Sequence, residues 1–192
     1  MKTKKRTTLD VLKDIEQEVI MIRSLLSVPK KEDSPQAGLT NASSPQQYFT
    51  VVDDGSQKTS EIIKKMRESF DVYVYDEENV DKNFPPPVSS TTRKFKKNVE
   101  ADEELNNKSA NDLEKEGIQS ITLRERLSME LQYFNETGKN LDIDNVTLCA
   151  GSRDSGGRVP YVDWYADGRK VYVYWCYRDG ANPSLRSRRC VS

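Results

Sequence analysis

Three segments of the 192-residue chain predict an α+β protein: a capped amphipathic helix over residues 122–138, a hairpin over residues 159–175, and a strand–helix–strand stretch within residues 48–82. The helix carries the clearest signal. Thr122-Leu123-Arg124-Glu125 has the form of a capping box, in which the Thr and Glu side chains satisfy two backbone N–H groups that a helix start leaves open. Leu123, Leu127, Leu131 and Phe134 fall on one face, and Gly138 stands where a helix end favours a left-handed residue.

The hairpin follows from Val159-Pro160-Tyr161-Val162-Asp163-Trp164-Tyr165, a turn at Asp167-Gly168, and Lys170-Val171-Tyr172-Val173-Tyr174-Trp175. Asp-Gly suits a two-residue turn because both central positions then need positive φ. With those two as the turn, Tyr165 faces Lys170, Trp164 faces Val171, Asp163 faces Tyr172, Val162 faces Val173 and Tyr161 faces Tyr174. Side chains alternate with period two, so Val162, Trp164, Val171, Val173 and Trp175 make a core face. Tyr161, Asp163, Tyr165, Lys170, Tyr172 and Tyr174 make the other. A slip of one residue would bury Asp163 and Lys170, which determines the register.

In the strand–helix–strand stretch, residues 48–52 and 70–75 have strand character, and residues 59–69 carry Ile62, Ile63 and Met66 at helical spacing. Its acidic run Asp76, Glu77, Glu78, Asp81 matches no calcium-loop spacing and is expected to be a solvated loop. Residues 145–149 predict a further strand, residues 185–192 a terminal one, and the glycine-rich run 151–158 a mobile loop. That run lacks the GxxxxGK[ST] pattern of a phosphate cradle.

Toward the N-terminus, Leu12, Ile15, Val19, Ile22 and Leu26 are spaced as the seam of a short coiled coil, which makes a homo-oligomer through residues 9–28 one expectation and packing within the chain the other. The resulting division is an amphipathic helix over 1–28, a linker over 29–47, the strand–helix–strand unit over 48–82, a charged tether over 83–117 and a C-terminal domain over 118–192. The two connecting segments carry too few apolar residues to offset the ~1–2 kcal/mol per residue that backbone ordering costs. Phe84-Pro85-Pro86-Pro87 interrupts regular structure at the head of the tether, and a short helix signal at Ser109-Ala110-Asn111-Asp112 closes near Gly117.

Composition narrows the function. The net charge is −1, yet residues 145–192 hold eight Lys/Arg against four Asp, so the C-terminal part is mildly basic. No apolar run approaches the roughly 20 residues of a membrane span, and the basic start precedes an amphipathic stretch instead of a signal core. A cytoplasmic protein with no membrane span is expected. The three cysteines, Cys149, Cys176 and Cys190, show neither the pairing of a disulfide framework nor CxxC spacing for zinc. Histidine is absent, which removes the commonest general base and metal ligand and argues against a hydrolase. No catalytic residue, metal or cofactor is expected.

The four hairpin tyrosines beside Asp163, Lys170 and nearby arginines are instead the composition of a recognition surface, since each ring offers a stiff contact area and a hydroxyl at low entropic cost. The alternative is cross-strand pairing of rings that only stabilises the hairpin. A second reading is nucleic-acid binding, with Arg186, Arg188 and Arg189 on phosphates and tyrosines stacking on bases.

Over residues 122–192 the chain resembles the variable ligand-binding proteins of diversity-generating retroelements, whose fold is C-type-lectin-like and related to the formylglycine-generating enzyme. The resemblance lies in the helix, the Leu148-Cys149-Ala150-Gly151-Ser152-Arg153 strand and loop, the Val-x-Trp frame at Val162/Trp164 and Val173/Trp175, and the terminal Leu185-Arg186-Ser187-Arg188. It implies that Tyr161, Asp163, Tyr165, Tyr172, Tyr174, Cys176, Tyr177, Arg178, Asp179 and Asn182 are variable contacts to a protein or other macromolecular ligand. In that family, adenine-directed mutagenesis reaches Tyr, Asp, Ser, Ala, Gly, Cys and Arg from AAC or AAT codons but not Trp. A Gly-Gly-Ser-Trp run is missing, and no calcium motif of the related fold appears, so calcium or sugar binding is not implied.

Overall fold

The computed structural model describes residues 46–191. The helix expected over residues 1–28, and nearly all of the linker expected over 29–47, lie outside the described residues. Residues 44–192 group as one compact unit. Its order is β1 (Tyr48–Asp53), α1 (Thr59–Arg67), β2 (Asp71–Val74), α2 (Val80–Asn83), β3 (Thr91–Lys96), α3 (Ala110–Lys115), α4 (Leu123–Thr137), β4 (Val146–Leu148), β5 (Val159–Tyr165), β6 (Lys170–Cys176) and β7 (Leu185–Arg186), with short 3₁₀ turns at Glu77–Asn79 and Glu103–Leu105. The protein is therefore α+β. Among the described residues no helix is long and apolar enough to cross a membrane.

Five strands form a mixed sheet in the order β2-β6-β5-β4-β7, and β1 pairs with β3 in a separate antiparallel ribbon. The hairpin β5–β6 and the pair β4–β5 are antiparallel, whereas β2 runs parallel to β6 and β7 parallel to β4. One sheet face presents Val72, Val74, Val162, Val171 and Val173 to Ile62, Ile63 and Met66 of α1, to Leu123, Leu127 and Met129 of α4, and to Phe49 and Phe95 of the ribbon. Among the described residues the opposite face is covered at the β4–β7 end. There Val146, Leu148, Val159 and Leu185 pack beneath Leu105, Ala110 and Leu113.

Two expected boundaries differ from the structure. Residues 70–75 do not close a separate small unit: β2 lies on the edge of the main sheet, with Val72 opposite Val171 and Val74 opposite Val173. Residues 83–117 are not a tether, because they supply β3, α3 and the buried Phe95, Ala101, Leu105, Ala110 and Leu113. Low average hydropathy missed a few apolar residues placed where each is needed, and polar groups fasten the rest. The Asp102 N–H donates to the Ser187 carbonyl, while its carboxylate accepts the Arg189 N–H. The Glu100 carboxylate accepts the N–H groups of Ile143, Asp144 and Asn145. The Ser109 capping box and Gly117 (φ 69°) bound α3 as expected.

Helix α4 organises the interior. Its Thr122–Glu125 capping box is formed and Gly138 is left-handed at φ 68°. It buries Arg124, Glu125, Arg126 and Glu130 along with its apolar face. Arg124 grips Asp53 with two hydrogen bonds of 2.7 Å. Arg126 pairs with Glu130 at 2.6 Å and Asp142 at 2.7 Å, and Arg188 reaches the other Asp142 oxygen at 2.7 Å. Two cations and two anions thus close a buried set whose members satisfy one another, the condition under which buried charge is tolerated. Burial works against the Asp142 carboxylate, yet Arg188 and Arg126 hold it below the usual range. The carbonyl of Asp142 accepts the Trp164 N–H, which ties this network to the hairpin.

Candidate binding surface

The hairpin has the register that its sequence implies, from Tyr165 opposite Lys170 to Tyr161 opposite Tyr174. The turn differs in detail. Positive φ falls on Arg169 (49°) instead of on Asp167 and Gly168, and the Arg169 N–H donates to the Ala166 carbonyl, so residues 166–169 form the connection. Gly168 is required there for space: a Cβ would lie 2.7 Å from the Tyr165 ring.

On the core face Val162, Val171 and Val173 are buried as expected, while Trp164 and Trp175 are only half-buried. Both indoles sit toward sheet ends where the cover stops. The Arg158 guanidinium lies 4.0 Å from the Trp175 ring and is held there by Asp154 at 2.6 Å. The same Asp154 accepts the N–H groups of Gly156 and Arg158. Loop 151–158 is therefore pinned by its own carboxylate, with those amides turned inward.

The tyrosine face is larger than the hairpin alone suggests. Strand β2 adds Tyr73, and Tyr75 follows it. Ring centroids run from Tyr165 to Tyr172 (5.2 Å), Tyr172 to Tyr174 (5.5 Å) and Tyr174 to Tyr75 (6.2 Å), with Tyr73 beside Tyr172 (5.2 Å); at the sheet end Trp175 of the core face meets Tyr75 (5.9 Å) and Tyr177 (5.5 Å). These separations are those of interacting aromatic pairs. Sequence spacing missed Tyr73 and Tyr75 because a parallel partner from residues 71–74 leaves no turn signal near the hairpin. The alternation Val72-Tyr73-Val74-Tyr75, matching Val171-Tyr172-Val173-Tyr174, is the signal that could have found them.

The ten candidate contacts occupy three settings. Asp163, Tyr165 and Tyr172 stand half-buried at the open end of the face. Tyr161, Tyr174 and Cys176 lie toward the covered end: Tyr174 is 6% exposed, and Tyr161 and Cys176 pack against the cluster under α3. The expectation of exposed Tyr161 and Tyr174 is thereby corrected: the segment expected to be a tether packs on Tyr161, and the rings of Tyr73, Tyr75, Tyr161 and Tyr172 surround Tyr174. Tyr177, Arg178, Asp179 and Asn182 form the loop after β6. Tyr177 is 62% exposed, Arg178 meets Glu114 at 3.1 Å, and Asn182 accepts hydrogen bonds from Ser184, which makes it a loop-shaping residue.

Burial raises the hydroxyl pKa of Tyr161, Tyr172 and Tyr174, and it pushes the Cys176 thiol up to about 12, so these groups stay protonated near neutrality. Burial, with help from Asp142, pushes Asp163 up to about 7. Among the described residues no group of three or more His, Cys, Asp or Glu is placed to hold a metal ion. Of the three arginines weighed for phosphate contact, Arg188 is 1% exposed and engaged by Asp142, and Arg186 directs its guanidinium to the Ala101 carbonyl. Arg189 alone of the three is exposed. No family model, no curated protein and no solved structure matches the chain.

Proposed function

We propose that this chain is a binding protein, not an enzyme, which presents a variable, tyrosine-rich surface of C-type-lectin-like kind to a macromolecular ligand in the cytoplasm. The observation that carries this reading is the set of rings Tyr165, Tyr172, Tyr73 and Tyr75 packed side by side around Tyr174 on one sheet face, with Tyr73 (43% exposed) at its surface and Tyr177 (62% exposed) in the loop after β6. Stiff rings held on strands lose little freedom on binding, and tyrosine is enriched among residues that dominate interface energetics. The Val and Trp frame supports the resemblance to retroelement variable proteins: the valines are buried where substitution would damage the core, while the intervening positions include surface ones. Nucleic-acid binding is the weaker reading, since Arg188 lies inside the fold.

The test is to pan the full chain against a display library of folded protein domains and measure the affinity of selected clones for Tyr73→Ser and Tyr172→Ser. The expected loss is about tenfold or more for each, the scale of an interface residue worth 1–2 kcal/mol. Clones whose affinity ignores both changes would overturn the proposal. The retroelement component is checked separately by looking for a reverse transcriptase beside the gene and a near-copy of its 3′ end. Absence of both from a complete genome would remove it.

A further inference from the structure

The open half of the tyrosine face contains two carboxylates: the exposed Asp71 of β2, beside Lys170, and the half-buried Asp163, opposite Tyr172 on β6 and between Tyr161 and Tyr165 on its own strand. Other partly buried acids in the fold have partners. Asp53 holds Arg124, Asp154 holds Arg158, and Asp81 accepts from Ser60. Among the described residues no hydrogen bond or ion pair engages the Asp163 carboxylate. The cation nearest in register, Lys170, places its Nζ 5.9 Å from the Tyr172 ring centroid and makes no ion pair with Asp163. Arg126 acts on Asp163 only from within the buried network, where its own hydrogen bonds go to Glu130 and Asp142. The site therefore has walls of aromatic rings and an acid that the fold leaves without a counter-ion.

A half-buried acid without a partner is costly, and a ligand that supplies the missing charge gains what the fold forgoes. Aromatic faces attract cations, and a guanidinium can lie flat on a ring while donating two parallel hydrogen bonds to a carboxylate. We propose that the open half of the face receives an arginine side chain of the partner, with its guanidinium on the Asp163 carboxylate and between the Tyr165 and Tyr172 rings, which stand at 86° to each other, so that it lies flat on one and meets the other edge-on. This rests on the reading of the tyrosine face as a binding surface, and it names the chemistry that the surface selects.

The test titrates the full chain with N-acetyl-arginine amide, and with N-acetyl-citrulline amide as the neutral analogue of the same shape, following tyrosine ring signals by NMR at pH 8. The arginine probe is expected to shift the Tyr165 and Tyr172 signals saturably and to bind at least about tenfold more tightly than citrulline, the discrimination one charge-assisted pair provides. Asp163→Asn is expected to abolish that preference and Asp163→Glu to retain part of it. On the unaltered chain, binding should weaken as pH falls through about 7, because the acceptor becomes protonated. That arm needs no variant to fold. Equal binding of the two probes, no saturable shift, or a preference that survives Asp163→Asn would each overturn the proposal. If a selected protein partner loses affinity on Tyr172→Ser but not on Asp163→Asn, the binding face stands and the arginine assignment fails.

Discussion

Asp142 and Asp163 are two acids of one neighbourhood with opposite settings. Asp142 accepts from Arg126, Arg188 and Thr147, and removing it would leave the buried Arg188 without an anion and Arg126 with Glu130 alone. Asp142→Ala is expected to destabilise the fold by about 3–5 kcal/mol, measured by urea unfolding, as breaking a buried pair does. A loss under ~1 kcal/mol would show that the arginines find other partners. At Asp163 the folded pKa of about 7 stands above the roughly 3.9 of an unfolded chain, so the folded state holds the proton more tightly. The stability this contributes is complete below the unfolded value and is lost as pH rises through about 7. Asp163→Asn should therefore raise the melting temperature more at pH 8 than at pH 5. A lower melting temperature at pH 8 would mean that the carboxylate has a stabilising partner. Neither setting is legible in the sequence: the arginines that hold Asp142 lie 16 and 46 residues away, and the spacing that places Asp163 on the tyrosine face says nothing of its burial or its lack of a counter-ion.

Elements with local signals are legible in the sequence. The capping boxes of α3 and α4, the left-handed Gly138, and the hairpin register depend on residues within a few positions of one another, and each matches the structure. Thr122→Ala should cost ~1 kcal/mol of stability by thermal or chemical unfolding, because the Glu125 N–H loses the Thr122 acceptor. No measurable change would mean that Glu125, which accepts the Thr122 N–H, holds the helix start unaided. Non-local pairings had no such signal. The parallel pair β2–β6 joins residues about a hundred positions apart, and β3 pairs with β1 across a proline run that otherwise marks an interruption. The acidic run after β2 is likewise engaged, since Glu77 takes Arg67 at 2.6 Å and the backbone N–H of Ser60 donates to Asp81.

For the whole molecule, residues 44–192 group as one compact unit with its own core, so a chain beginning near Ser44 is expected to fold by itself. Deleting residues 1–43 should leave the cooperative melt within a few degrees of the full chain. The seam Leu12, Ile15, Val19, Ile22, Leu26 is tested by sedimentation of the Ile15→Asp, Ile22→Asp double variant: a fall in mass supports assembly, and an unchanged mass contradicts it. The candidate tyrosines serve two purposes that burial separates. Tyr161 and Tyr174 hold the covered end, while Tyr73, Tyr172 and Tyr177 remain accessible in part. The decisive measurement is a paired thermal melt and binding titration, against one selected partner, of Tyr73→Ser, Tyr172→Ser, Tyr177→Ser and Tyr174→Ser. The binding account expects the first three to melt within about 1 kcal/mol of the parent while losing affinity, and Tyr174→Ser to lose stability by more than that. If the first three instead lose stability as far as Tyr174→Ser and keep whatever affinity the folded fraction shows, the rings are only packing and the binding surface lies elsewhere.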